Sequence, residues 1–195
     1  MNRNFCSVAK NLGVTGLVCA SYLGIPSGGP AALLAADNTN PRAASVTPDV
    51  QLVIDYNDFI QSTFTDWQKQ KPGLPKFITN KTILHEAPSL PWGGTMVGFA
   101  GWHQLYSRNI AVMKALLPHL EIADSTYFQN ATTVIHEYGM VIKGTREAPE
   151  PFVMGMIEKY TVKDGRIAQI DEFYEDTAGL LKRLAVLGIV KDPPR

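Results

Sequence analysis

From Leu120 onward, apolar residues recur at every second position through four consecutive segments, which is the period of a β-strand. The segments span residues 122–130, 132–145, 152–163 and 167–175. The dipeptide Asp164-Gly165 separates the last two and favours a type I′ hairpin, because both central residues of that turn need positive φ. We therefore predict a run of antiparallel strands as the largest part of the fold.

The chain before these strands has a helical period. Apolar residues three or four apart predict one helix over residues 48–70 and another over residues 98–117. Between them, prolines and glycines in residues 82–101 predict short strands and turns. Helices followed by a run of strands indicate an α+β fold, in which the N-terminal helices cover one face of a curved sheet. If the sheet curls away from these helices at one end, the side chains on its inner face line a cavity.

After the strands, a last helix is predicted over residues 178–187, with Thr177 as its N-cap.

The first 36 residues have the layout of a secretory signal peptide: basic residues, an apolar run over residues 12–25, then small residues ending at Ala36. Cleavage is expected either near Ala20 or after Ala36. The run is too short and too rich in glycine to span a bilayer, so no stable membrane insertion is expected. Residues 37–47 are interpreted as a linker and residues 48–190 as the domain. The protein is then periplasmic or secreted, or cytoplasmic if the leader does not function.

Composition excludes several function classes. The 18 Lys and Arg balance the 18 Asp and Glu, so no basic surface for nucleic acid is indicated. Both cysteines, Cys6 and Cys19, lie in the leader, which leaves the domain without a disulfide, a thiolate metal site or a cysteine nucleophile. The four histidines lack metal-ligand spacing, and no GxSxG, GxGxxG or P-loop motif is present. We therefore expect neither a metal nor a cofactor.

Strand alternation selects the first candidate site residues. One face of the segment 152–163 holds Met154, Met156, Glu158 and Tyr160, and one face of the next segment holds Ala168, Ile170, Glu172 and Tyr174. If these faces line the cavity, burial would raise the pKa of Glu158 and make it an acid. Counting outward from the turn places Glu158 opposite Asp171, with Glu172 one residue off, so pairing alone leaves open which carboxylate joins Glu158.

Further candidates come from the helices and the turns. His85 and Glu86 precede Ala87-Pro88 at the expected mouth of the cavity, although neighbours on a strand point to opposite faces. Tyr56 faces the sheet, and its buried hydroxyl needs a partner, either a carboxylate such as Glu158 or a backbone group. The expected ligand-binding wall also includes Trp92, Met96, Trp102, His103 and Tyr106.

The sequence resembles the SnoaL-like members of the NTF2-like superfamily over residues 50–184. The resemblance rests on the tyrosine-bearing helix, the turn-rich segment from His85 to Gly94, the Asp-Gly-Arg-Ile hairpin and the acidic, aromatic end of the last strand. It implies a cone with an apolar pocket for a hydrophobic small molecule and a homodimer through the outer sheet face. Relatives include polyketide cyclases, ketosteroid isomerases, limonene epoxide hydrolases and non-catalytic binding domains.

The resemblance also implies roles. By analogy with the isomerases, Tyr56 matches the oxyanion donor and Glu158 the protonated acid, but Ala87 stands where their base would be, so Glu86 or His85 would have to serve. By analogy with the epoxide hydrolases, Glu172 matches the catalytic aspartate, but His136-Glu137-Tyr138 replaces the required arginine and aspartate and leaves that triad incomplete. For polyketide cyclases, one acidic residue and an enclosing pocket suffice.

Two functions remain open from the sequence. The first is an isomerase or cyclase that acts on a hydrophobic carbonyl compound, with Glu158 and Glu172 as acid and base and Tyr56 as oxyanion donor. The second is a non-catalytic exported domain that binds an apolar ligand or forms a dimeric interaction module.

Overall fold

A computed structural model describes residues 5–11, 14–20, 46–146 and 148–191, with backbone alone for the first two ranges. The strands are β1 (Phe5–Asn11), β2 (Val14–Ala20), β3 (Ile78–Glu86), β4 (Gly94–Val97), β5 (Leu120–Asn130), β6 (Thr133–Ile142), β7 (Phe152–Lys163) and β8 (Arg166–Tyr174). The helices are α1 (Pro48–Thr63), α2 (Trp67–Gly73), α3 (Gly98–Leu116) and α4 (Thr177–Val186).

The main sheet has six strands in the order β4-β3-β8-β7-β6-β5. Every neighbouring pair in it is antiparallel except β3 and β8, which run parallel. Helix α3 packs against β3 and β4, and α1 lies against β5 and β6. The α+β prediction and the predicted run of four strands are therefore confirmed.

The leader is only partly described. Strands β1 and β2 lie within it and pair antiparallel. Most of the predicted signal peptide and most of the predicted linker lie outside the described residues. Export through the leader stays a prediction. Among the described residues, no helix is long and apolar enough to cross a membrane.

The predicted helix over residues 48–70 is wrong in one respect, because the chain breaks it into α1 and α2. Helix α1 begins where the Thr47 side chain accepts a hydrogen bond from the backbone N–H of Val50 at 3.3 Å. Its end follows from Asp66, whose carboxylate caps a new helix by accepting from the backbone N–H groups of Gln68 and Lys69. A good N-cap inside an apolar helical stripe therefore starts a second helix.

The cap of the last helix also differs from the prediction. Asp176, and not Thr177, accepts a hydrogen bond from the backbone N–H of Gly179, at 2.7 Å. Thr177 is the first residue of α4. The carboxylate has the right spacing for an N-cap, and its negative charge suits a helix N-terminus.

The hairpin between β7 and β8 sets the register of the site. Asp164 and Gly165 have φ of 53° and 66°, as a type I′ turn requires. A register shift between Thr161 and Val162 leaves Ala168 without a direct partner, so that Glu158 pairs with Glu172. The register counted from the turn is thus off by one residue, because a bulge adds one residue to β8. Of the two carboxylates that the sequence left open, Glu172 is the one that pairs with Glu158.

Two apolar clusters lie between the helices and the inner face of the sheet. The first contains Tyr56, Met96, Trp102, Tyr160 and Ile170. The second contains Trp92, Leu116, Met154, Met156 and Leu180. Residues of both clusters line a cavity between them. The curved sheet therefore encloses an internal space, as the sequence predicts.

Gly98, at the start of α3, lies close to the backbone of another segment, and Gly165, in the hairpin turn, serves as its comparison. Gly98 has φ of +59°, and a Cβ there would lie 2.4 Å from the backbone oxygen of Asn80, whereas Gly165 has φ of +66° and open space around it. We expect Gly165→Ala to lower the free energy of unfolding by about 1 kcal/mol and Gly98→Ala by about 3 kcal/mol. Denaturant titration measures both, and equal losses would contradict the close approach at Gly98.

Candidate functional site

The cavity has a volume of about 420 Å³ and is bounded by α1 and α3 on one side and by the sheet on the other. Its wall is mainly apolar and aromatic. Three glutamates interrupt this wall, Glu86, Glu158 and Glu172, together with His136. A concave apolar space with a few converging polar groups is the usual form of a small-molecule site.

Glu86 and Glu172 form a carboxyl pair. They lie on the neighbouring parallel strands β3 and β8, one residue beyond the partners His85 and Asp171, and each carboxyl group shifts the pKa of the other. The Tyr174 hydroxyl lies 2.9 Å from Oε2 of Glu86 and 3.1 Å from Oε2 of Glu172. Two carboxyl groups within reach of one hydroxyl in a buried, mainly apolar site do not both stay ionised, so the pair shares a proton.

Burial decides how strongly this proton is held. Burial raises the pKa of Glu86 to about 7. The pKa of Glu172 is raised well above its usual range by burial and by the charges of Glu86 and Glu158. At neutral pH Glu172 is therefore the protonated member and the hydrogen-bond donor, while Glu86 is close to half ionised.

The pKa of Glu158 is lowered, whereas the sequence analysis expects burial to raise it. Burial raises its pKa, but this effect is outweighed by the hydrogen bond and charge of His136 and by hydrogen bonds from Tyr160 and Tyr138, so the pKa is lowered. Its Oε2 lies 2.9 Å from Nδ1 of His136 and 2.5 Å from the Tyr160 hydroxyl, and its Oε1 accepts from Tyr138 at 2.9 Å. Glu158 is thus an ionised, well-satisfied carboxylate and not the buried acid.

His136 belongs to the candidate site, although the sequence analysis did not assign it there. It is buried and stacks on Tyr127 and Tyr138, with ring centroids 4.2 and 4.6 Å apart. Its Nε2 lies 2.9 Å from the Ser125 hydroxyl, and its Nδ1 lies 3.1 Å from Nδ2 of Asn57. Alternation on β6 would have placed His136 and Tyr138 on one face, but only the observed pairing of His136 with Glu158 brings them into the site.

Tyr56 lies in the cavity wall. The Trp102 indole N–H donates to the Tyr56 hydroxyl at 3.2 Å, so the partner is an indole and not the expected carboxylate or backbone group. Within the described part of the chain, no hydrogen bond donated by the Tyr56 hydroxyl is observed. Burial raises the pKa of Tyr56, which keeps the phenol protonated and able to donate.

The structure separates the other sequence-predicted residues into two groups. Those that line the cavity are Trp92, Trp102, Tyr106, Met156, Tyr160 and Tyr174. Those that do not are His85, Met96, His103, Met154 and Ile170. The prediction is wrong for the second group for three different physical reasons.

His85 is on the outer face of β3, where its Nδ1 contacts the Thr95 hydroxyl at 3.0 Å, because adjacent strand residues point oppositely and Glu86 points inward. His103 lies on the exposed side of α3 and stacks on Trp67 at 4.9 Å. Met96, Met154 and Ile170 are fully enclosed by the apolar clusters and do not reach the cavity.

In the part of the chain that the structure describes, no group of three or more His, Cys, Asp or Glu side chains could hold a metal ion. We therefore assign no metal ligands. The chemical capacity of the site lies in its carboxyl groups and phenols, which can accept, hold and donate protons next to an apolar ligand.

No family model and no curated protein matches the sequence. Solved structures do match in fold. A structure of TerC co-crystallised with polyporic acid has a TM-score of 0.50 at 13% identity and covers 70% of this chain and 97% of its own. An NTF2-like protein from Burkholderia xenovorans LB400 has a TM-score of 0.50 at 16% identity, and the match covers 71% of this chain and 96% of that protein. An NTF2-like protein from Anabaena variabilis ATCC 29413 has a TM-score of 0.50 at 15% identity, and the match covers 68% of this chain and 94% of that protein.

At these identities the likeness shows the fold alone. The fold is NTF2-like, as the sequence resemblance implies.

The carboxyl pair makes the stability of the protein depend on pH. The native pKa of Glu86 is about 7 and exceeds the ordinary value of 4.5, so the native state binds more protons than the unfolded state between these values. Glu86 alone should therefore lower the free energy of unfolding by on the order of 1–3 kcal/mol as pH rises from about 5 to about 8, and Glu172, whose native pKa is also raised, adds to this fall.

In Glu86→Gln the neutral amide loses no proton, and we expect the slope to be smaller. Glu137→Gln, a change at an exposed position on β6, should retain the wild-type slope. Denaturant titrations across this range measure all three proteins, and a wild-type profile that rises with pH would contradict the shared proton.

Proposed function

We propose that this protein, whose fold is NTF2-like, moves a proton at a carbon atom next to the carbonyl group of a hydrophobic small molecule, in an isomerase- or cyclase-type reaction. The observation that carries this proposal is the buried Glu86–Glu172 carboxyl pair in the wall of an apolar cavity. A group that titrates near 7 is close to ideal for general acid–base catalysis at neutral pH.

In this proposal Glu86 is the base. Its ionised carboxylate takes a proton from the α-carbon of the ligand, and the C–H electron pair moves into an enolate. The Tyr56 hydroxyl donates a hydrogen bond to the developing oxyanion, for which its unused proton suits it. Protonated Glu86 then returns the proton to the same or another carbon. Glu86 thus fills the role for which the sequence left His85 and Glu86 as alternatives.

Glu172 and Glu158 have supporting roles in this proposal. Glu172 remains protonated and donates to Glu86 or to the ligand. Glu158, expected from the sequence to be an acid or a base, instead contributes its negative charge, which helps to keep the pKa of Glu172 high. His136 and the Tyr138 and Tyr160 hydroxyls hold Glu158 in place.

The wall of the cavity also limits the charge of the ligand. Among the described residues that line it, the ionisable groups are three glutamates, one histidine and several tyrosines, with no Lys or Arg. An anionic ligand would have no Lys or Arg to pair with, and the charge of His136 is already matched by Glu158. A neutral hydrophobic carbonyl compound fits this environment best.

Exchange of the α-hydrogens of 2-tetralone in D₂O, followed by proton NMR, tests the chemistry without knowledge of the natural substrate. We expect the protein to accelerate exchange, with a rate that rises with pH through about 7 as Glu86 ionises. Glu86→Gln should reduce the rate about 10²- to 10⁴-fold and Tyr56→Phe about tenfold.

Glu137→Gln is the matched control, because Glu137 is exposed on β6 and should not affect exchange. Exchange that is absent in the wild type, or unchanged in Glu86→Gln, would contradict the proposal.

A specific observation favours a dimer as well. The outer face of β7 and β8 exposes Val153, Ile157 and Phe173 at 64%, 42% and 55%, and Ile157 and Phe173 are cross-strand partners. We propose that a second copy of this chain covers this strip, since contiguous apolar surface of this kind marks an interaction site. This assembly is compatible with catalysis and equally with the non-catalytic ligand-binding module.

Sedimentation equilibrium tests the dimer. We expect the wild type to sediment as a dimer and Phe173→Glu as a monomer, because a charge would be buried without a partner in the interface. Lys163→Glu, a change at the exposed end of the hairpin, should leave the dimer intact. A monomeric wild type, or a dimeric Phe173→Glu, would rule out this interface.

A further inference from the structure

Asn109 is a polar residue in the part of the cavity wall formed by α3. Its side chain is 5% exposed, and its carbonyl oxygen Oδ1 has no hydrogen-bond partner. Along the same helix the cavity is lined by Leu105, Met113 and Leu116, which offer no hydrogen bond from their side chains. A buried acceptor without a partner is uncommon in folded proteins, because the group gives up its hydrogen bonds to water.

The position itself would suit an apolar side chain. The cavity-facing residues of α3 are Trp102, Leu105, Tyr106, Asn109, Met113 and Leu116. Their spacing of three and four residues is that of one helix face, so a leucine at 109 would continue the face without an unpaired polar atom. The packing of this helix face therefore gives no reason for an amide at position 109.

The position of Asn109 relative to the carboxyl pair suggests what could satisfy it. Glu86 and Glu172 come from strands β3 and β8, whereas Asn109 comes from the helical side of the same cavity. A ligand held between these walls meets the carboxyl pair on one side and Asn109 on the other. Because the terminal torsion of asparagine has a broad energy profile, the amide can turn its oxygen toward a ligand.

We propose that Asn109 is a specificity-determining residue that accepts a hydrogen bond from a hydroxyl or N–H group of the ligand. This inference rests on the proposed function and narrows its substrate class to hydrophobic carbonyl compounds that carry a hydrogen-bond donor on the side facing α3. A ligand without the donor leaves the amide oxygen unpaired, so the site discriminates against it.

Calorimetric titration of the full chain with matched probes tests the inference. The probes are 2-acetylnaphthalene and its 5-, 6- and 7-hydroxy derivatives, which place one hydroxyl at different distances from the carbonyl. We expect at least one hydroxy derivative to bind the wild type about tenfold more tightly than the parent compound. In Asn109→Leu this preference should disappear, while the parent compound binds at least as tightly as before.

Gln104→Leu is the matched control, because it also replaces a side-chain amide on α3 with leucine, but Gln104 is exposed and does not line the cavity. It should keep the preference for the hydroxy derivative. Asn109→Leu should also unfold at a higher temperature than the wild type without ligand, since it removes the unpaired oxygen, and this result shows that the variant is folded.

The possible failures are distinguishable. If the wild type binds the parent and all three hydroxy derivatives equally, or if Asn109→Leu keeps the preference, the role of Asn109 is overturned while the proposed function stands. If the wild type binds none of the four compounds, the proposed carbonyl ligand is overturned, and the role of Asn109 with it.

Discussion

The pairing of Glu158 with His136 is the interaction on which the chemistry of the cavity depends. Three carboxyl groups face one apolar space, and three uncompensated negative charges could not remain there. His136, Tyr138 and Tyr160 satisfy Glu158 and keep it ionised. Its charge then helps to hold the proton on Glu172, and that proton is shared with Glu86. One compensated carboxylate thus sets the protonation of the other two.

The architecture was largely predictable because its signals are local. Strand alternation, the Asp164-Gly165 turn and the apolar stripe of α3 each depend on residues close in sequence, and the structure confirms all three. The errors came where a small local feature overrides a pattern. Asp66 starts a new helix within the stripe that predicts one long helix, and the bulge opposite Thr161 and Val162 shifts the register by one residue.

The candidate site was only partly predictable, because its contacts link strands that are distant in sequence. Alternation correctly placed Glu158 and Glu172 on inward faces, but the parallel pairing of β3 with β8, which brings Glu86 beside Glu172, leaves no local signal. The sequence analysis expected the pKa of Glu158 to be raised, and the shift is in the other direction because it depends on His136, a partner on another strand. Asn109 was overlooked because its lack of a partner is visible only in three dimensions.

The most direct test of the shared proton is a titration of the glutamate carboxyl carbons by ¹³C NMR in the full chain, with Glu86→Gln and Glu172→Gln for assignment. The structure predicts that one carboxyl of the pair titrates near 7 and that the other keeps its proton above that pH, while Glu158 titrates below its ordinary range. If the carboxyl groups of Glu86 and Glu172 both titrate near the ordinary glutamate value of 4.5, no proton is shared at neutral pH, and the proposed acid–base chemistry is contradicted.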